Sequence, residues 1–112
     1  MIWEASSSTR GPVGQPAGDI GDDARDAFLV HLREGVVAAA AAGDGDYVVD
    51  LSAVEHISAG ALMALTIARK EAITSNVKIV LARPNPAIRE VLEISRYQLI
   101  FDIVDDLDSH GG

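Results

Sequence analysis

DYVVDLSAVEHISAGALMAL, residues 46–65, lays out a strand, a connection and a helix in succession. It begins with a short apolar run, Tyr47, Val48, Val49 and Leu51, interrupted only by Asp50. Such a run, bounded by turn residues, predicts a buried strand. A six-residue polar-tinged crossover follows, and Ser58-Ala59-Gly60 then opens an apolar helix. That order places a small-residue loop and a helix N-terminus at one end of a sheet. The first-turn N–H groups of a helix have no acceptors within it, so such a place can hold an anion or meet a partner.

Downstream, the helix is predicted over roughly 60–75, with Ala61, Leu65, Ala68 and Ala72 on one face and Leu62 beside them. Arg69 and Lys70 fall in its C-terminal half, where positive charge is favoured. Ser75-Asn76 turns into VKIVLA (77–82), a continuous apolar strand suited to a sheet interior. Pro84 and Pro86 frame the next turn, and Pro86 suits a helix start. Ile88, Val91 and Leu92 belong to a third helix over 87–95, and LIFDIV (99–104) reads as a last strand before a DSHGG tail.

Upstream, DDARDAFLVHLREGVVAAAAA (22–42) predicts a helix capped by Asp22 or Asp23. Ala24, Phe28 and Leu32 form its apolar stripe, with Leu29 and Val36 alongside. Gly35 costs a helix about 1 kcal/mol relative to alanine and marks a close helix–sheet approach. GDGD (43–46) ends the helix as a turn. MIWEA (1–5) reads as a first strand with Ile2 and Glu4 on one face and Trp3 on the other. Residues 6–21, with Pro12, Pro16 and four glycines, read as a loop or a poor edge strand, leaving a weak edge near 11–20 open to pairing. The resulting order, strand, weak segment, helix, strand, helix, strand, helix, strand, predicts an α/β fold with a mixed, mostly parallel sheet and helices packed against it.

Composition narrows the function. The chain has 112 residues, one domain's worth, with 1–21 poorly defined and 106–112 a tail. It has no cysteine, so disulfides, thiolate metal sites and cysteine nucleophiles are excluded together. No basic-then-apolar leader opens it and no apolar run nears ~20 residues, so a cytoplasmic protein without membrane insertion is expected. A net charge of −8 disfavours nucleic acid. The acidic clusters Asp19, Asp22, Asp23, Asp26 and Asp102, Asp105, Asp106, Asp108 read as solvated loops and a favourable helix start.

Taken in order, these segments resemble the STAS domain, the module shared by bacterial anti-sigma factor antagonists and the cytoplasmic tails of sulphate transporters. In that family a strand ending in D-L-S leads through a hydrophobic turn into D-S-S-G or S-S-A-G and then G/A-L-x-x-L. The matching residues are Asp50-Leu51-Ser52, Val54, Ile57, Ser58-Ala59-Gly60, Leu62 and Leu65. The resemblance continues through VKIVLA, Arg83-Pro84-Asn85-Pro86, the following helix and Tyr97…Phe101, covering 46–105, while Gly18-Asp19-Ile20 resembles the remnant of an upstream turn.

In the antagonists, the second serine of D-S-S-G is phosphorylated by the partner kinase. Counted back from Gly60, Ala59 stands at that place with Ser58 before it, the acidic residue is missing, and the segment from Asp50 is one residue short. Alanine has no hydroxyl, so the resemblance implies a partner switch without the usual phosphorylation there.

The resemblance implies a non-enzymatic interaction module for an anti-sigma factor or related serine kinase-like switch protein. Its partner-binding residues would be His56, Ser58, Ala59, Gly60 and Met63, with Ile67 farther along. Ser58 or Ser52 remains as an alternative phosphoacceptor. Against these stand plainer readings: Ser58 as an ordinary N-cap, and Met63 and Ile67 as core. A subunit of a membrane transport ATPase is the second functional reading, and a receiver-like phosphoprotein built on Asp50 a distant third.

No cofactor or metal is implied. His31 sits mid-helix among polar neighbours, His56 in the crossover and His110 in the tail, none with a second ligand at i+3 or i+4. A Ser58–His56–Asp50 triad lacks a nucleophile elbow, GDGD lacks the later calcium ligand, and no glycine-rich phosphate loop is present.

Overall fold

The computed structural model describes residues 1–9, 11–43 and 45–105. Among the described residues six strands and three helices follow in the order β1 (Ile2–Ser8), β2 (Gly11–Ile20), α1 (Arg25–Ala42), β3 (Asp46–Asp50), β4 (Val54–Ile57), α2 (Ala59–Thr74), β5 (Lys78–Ala82), α3 (Pro86–Ile94) and β6 (Asp102–Val104). Across the sheet the order is β1-β2-β3-β5-β6, with β4 pairing to β2 beyond the end of β3. β1 is antiparallel to β2, and every other pairing is parallel. The α/β architecture with a mixed, mostly parallel sheet is therefore the observed one.

Period-two alternation explains the apolar runs of β3 and β5. Tyr47, Val49, Ile79 and Leu81 join Phe28, Leu32 and Leu65 in the main core, to which all three helices contribute. Val48 and Val80 turn the other way and form a smaller cluster with Val13 and Ala82 on the opposite face. Both faces are buried, so these strands carry no polar alternation.

The segment between the first strand and α1 departs from expectation. Residues 6–21 are not one loop or edge strand: Ser6–Ser8 complete β1, an edge of the sheet, and β2 spans Gly11–Ile20 inside it. Its prolines are tolerated because β2 pairs with β3 only at Val13 and Gly14 and with β4 from Gly18 to Ile20, and Pro12 and Pro16 fall outside both stretches. Gly18, at φ +85°, sits where the register shifts.

Neither Asp22 nor Asp23 caps α1. They form a short 3-10 turn, Asp22–Ala24, and α1 starts at Arg25 behind Ala24 without a side-chain cap. At the other end Gly43 adopts a left-handed conformation (φ 72°), as a C-cap requires. His31 is not among polar neighbours alone: its ring stacks on Trp3, with centroids 4.7 Å apart. The last strand is only Asp102–Val104, because Tyr97–Leu99 winds into a 3-10 turn whose Tyr97 hydroxyl donates to the Leu62 carbonyl at 2.8 Å. Asp106, Asp108, His110 and the predicted tail lie outside the described residues, as does Asp44 of the GDGD turn.

Candidate functional site

The site begins where β3 ends. Asp50 is 1% exposed, and its carboxylate is met from three sides. Arg83 donates through Nη2 at 2.5 Å and Nε at 3.3 Å, Gln15 through Nε2 at 2.9 Å, and the Ser52 backbone N–H at 3.0 Å. Burial pushes the Asp50 carboxyl up, but the Arg83 and Ser52 hydrogen bonds outweigh it and hold it below the ordinary range. This is the physical content of the Asp-Leu-Ser series: the aspartate ties β2, β3 and the residue after β5 together. A receiver-like phosphoacceptor needs an accessible carboxylate, and Asp50 is sealed in this network.

The crossover is not merely a connection. Val54–Ile57 forms β4, parallel to the end of β2 with Asp19 opposite His56 and Ile20 opposite Ile57. Four residues with a buried–exposed–exposed–buried pattern carry no period-two signal, which is why the sequence alone reads them as a crossover. His56 Nδ1 lies 3.0 Å from Asp19 Oδ1, and both side chains are exposed. His56 therefore turns to Asp19 rather than Asp50, and the triad arrangement does not form.

Ser58 is the helix cap. Its backbone is extended (φ −81°, ψ 165°), its N–H donates to the Ile20 carbonyl at 2.9 Å, and its Oγ accepts from the Ala61 N–H at 3.1 Å. Ser58→Ala should cost about 1 kcal/mol of stability, read from the urea midpoint. A smaller loss than a few tenths of a kcal/mol would remove the capping role.

Gly60 shows what stands beside the cap. A Cβ built on it would lie 2.5 Å from Asp22 Oδ1 and 3.3 Å from Arg25 Cδ. The Asp22 carboxylate thus sits over the first turn of α2, where the helix dipole favours an anion and the turn itself holds no acidic residue. The acidic run had marked Asp22 only as a start for α1; its place over α2 arises from the fold.

From this end α2 presents an open side. Ala59 is exposed, Met63 is 54% exposed and Ile67 37% exposed, so the reading of Met63 and Ile67 as core does not hold. Its other side, Ala61, Ala64, Leu65, Ala68 and Ala72, is in the main core. Two sites outside the predicted set support the same end. Asn85 Oδ1 caps α3 by accepting from the Ile88 N–H at 2.9 Å, and its Nδ2 donates to the Val54 carbonyl at 2.8 Å. Thr66 Oγ1 lies 2.7 Å from the Tyr97 hydroxyl. Asn85 reads in the sequence only as part of the turn, although an asparagine directly before Pro86 is a capping signal; its bond to β4 leaves no local signal.

Among the described residues, no group of three or more His, Cys, Asp or Glu side chains converges as metal ligands, and no helix is long and apolar enough to cross a membrane. A family model described as the STAS domain matches residues 26–110. Among solved structures, the chain is similar to TM1081 of Thermotoga maritima, provisionally assigned as an anti-sigma factor antagonist. That match has a TM-score of 0.75 and 19% identity, covering 94% of this chain and 87% of the other. It is also similar to the anti-sigma factor antagonist SpoIIAA in its unphosphorylated form, with a TM-score of 0.64, 15% identity and 94% and 89% coverage. The phosphorylated form of SpoIIAA, a Bacillus cell fate determinant, matches with a TM-score of 0.62, 14% identity and 94% and 93% coverage. At these identities the likeness is one of fold. No curated protein sequence matches the chain significantly.

Proposed function

The chain belongs to the STAS domain family, whose model spans residues 26–110, and from that premise we propose that it is a non-enzymatic partner-switching module. It binds an anti-sigma factor or a related kinase-like switch protein through the end of β4 and the open side of α2. The observation that carries this reading is the run from the Ser58 cap through exposed Ala59 to Met63, 54% exposed beside the sheet end. A methionine left in solvent at the start of a helix packed by small residues is an adaptable apolar contact. His56, Ser58 and Gly60 complete the face: His56 is exposed, Ser58 holds the helix start, and Gly60 keeps the Asp22 carboxylate close.

Regulation would differ from that of relatives carrying serine at the modified position. Ala59 has no hydroxyl, and the Ser58 oxygen is engaged with the Ala61 N–H. Binding would then be governed by the abundance of the partners rather than by a phosphate at residue 59.

Affinity capture from the native cell lysate, with wild type and Met63→Asp as baits, tests the proposal. Wild type is expected to retain a kinase-like anti-sigma factor, and the variant to lose it by at least about tenfold, since a carboxylate in a desolvated contact costs more than 1.4 kcal/mol. The substitution is on the surface, so the melting curve should stay nearly unchanged. Capture of a transport ATPase, lost in the same variant, would move the function to that assembly. Equal capture by both baits would sink the assignment of this face.

A further inference from the structure

The sheet ends in two unlike edges. β6 is three residues long, and its Asp102 is bridged by Lys78 of the neighbouring strand at 3.2 Å. β1 is seven residues long and pairs with β2 without a register shift, from Ile2 opposite Ala17 to Ser8 opposite Gly11. Its other side pairs with no strand among the described residues. Sheet proteins protect such an edge with charge, proline, a bulge or great shortness, and of these IWEASSS has only the single charge of Glu4.

The sequence of β1 also says what it fits. The large side chains Ile2, Trp3 and Glu4 occupy its first half, and Ala5 and three serines its second. A second β1 running parallel and in register would set large against large and Glu4 against Glu4. Antiparallel about Ala5, each large residue meets a small one: Ile2 opposite Ser8, Trp3 opposite Ser7 and Glu4 opposite Ser6 of the second copy. No like charges meet, and two hydroxyls face the two carboxylates. On the helix side an open groove of about 390 Å³, walled by Trp3, Ala5, His31, Glu34, Ala38 and Tyr47, lies over this edge. It leaves room for the second copy's serine half beside the Trp3–His31 stack.

We propose that the chain self-associates through β1, antiparallel to β1 of a second copy, joining two sheets into one. The contact leaves the face used for partner binding free, because α2 packs on α1 and β5, away from the β1 edge.

Sedimentation equilibrium of the 112-residue chain over a wide concentration range, with Ser6→Glu and Ser6→Lys beside wild type, tests it. Ser6 is exposed, so both variants should melt as wild type does. Wild type is expected to populate a dimer. Ser6→Glu places two carboxylate pairs opposite one another and should weaken dimerisation on the order of fivefold. Ser6→Lys places a lysine opposite each Glu4 and should strengthen it by a similar factor, with the gain fading at high salt. A chain that stays monomeric throughout, its edge left for a foreign strand, overturns the proposal. So does a dimer whose strength neither variant moves, since its interface lies elsewhere.

Discussion

Arg83→Met should destabilise the protein by about 3 kcal/mol at neutral pH, the usual scale for leaving a buried carboxylate without its cation. Asp50 is 1% exposed, whereas the Arg83 side chain is 41% exposed, so the two halves of the pair are not equivalent. Removing the arginine leaves a buried carboxylate without a countercharge, held only by Gln15 and the Ser52 N–H. Removing the charge by Asp50→Asn leaves a guanidinium that can turn to solvent, and should cost less, about 1–2 kcal/mol.

The pH dependence separates electrostatics from packing. In the wild type the folded Asp50 carboxyl is held below its unfolded value, near 3.9. Its contribution is therefore fully present above that value and is lost as the pH falls through the depressed folded one. Without Arg83 the upward push of burial is opposed only by the Ser52 hydrogen bonds, so the folded value is raised relative to that of the wild type. The variant's deficit is then complete at neutral pH and shrinks as the pH falls through that raised value. Urea unfolding at about pH 7 and about pH 4 checks this: equal deficits at both would mean that the loss is one of packing alone.

Gly35→Ala should also be strongly destabilising, by about 2–3 kcal/mol, although alanine is worth about 1 kcal/mol more than glycine inside a helix. A Cβ at residue 35 would fall 1.9 Å from Tyr47 Cζ, at the hydroxyl-bearing end of a ring that is itself buried in β3. The ring cannot retreat, because its hydroxyl lies 2.1 Å from where a Gly14 Cβ would stand. Tyr47 is clasped between two glycines, one on α1 and one on β2. In a double-mutant cycle with Tyr47→Val, the two losses should fall short of additivity by more than about 1 kcal/mol, since removal of the ring makes room for the methyl. Additive losses would mean that the clasp is not what Gly35 provides.

These two sites mark different degrees of legibility. Gly35 announced itself, because glycine inside a strong helix pattern has few explanations besides close approach; Tyr47 as the approaching group did not. Asp50 was visible as a polar break at a strand end, but nothing local tied it to Arg83, thirty-three residues away. The helix-two face was legible from spacing: Ala61, Leu65, Ala68 and Ala72 went inside, which left Ala59 and Met63 outside. His56 was visible only as a residue near Ser58, and its pairing with Asp19 needed β4 to lie beside β2.

The amino-acid order alone carried everything set by short-range periodicity and capping: three helices, the apolar strands β3 and β5, the Ser58 cap, and the missing hydroxyl at residue 59. These depend on neighbours within a few positions, so local propensity and side-chain spacing suffice. Only the tertiary structure decided the place of β2, whose prolines and glycines weaken every local strand signal. It is a strand because β1 pairs along it from Gly11 to Ala17, and β3 and β4 pair with it at stretches clear of its prolines. The same long-range pairing made β1 the open edge, sealed Asp50 behind Arg83 and set Asp22 over the start of α2. Contacts between distant residues leave no period in the sequence, because each partner's share of the bond is invisible until the chain has folded.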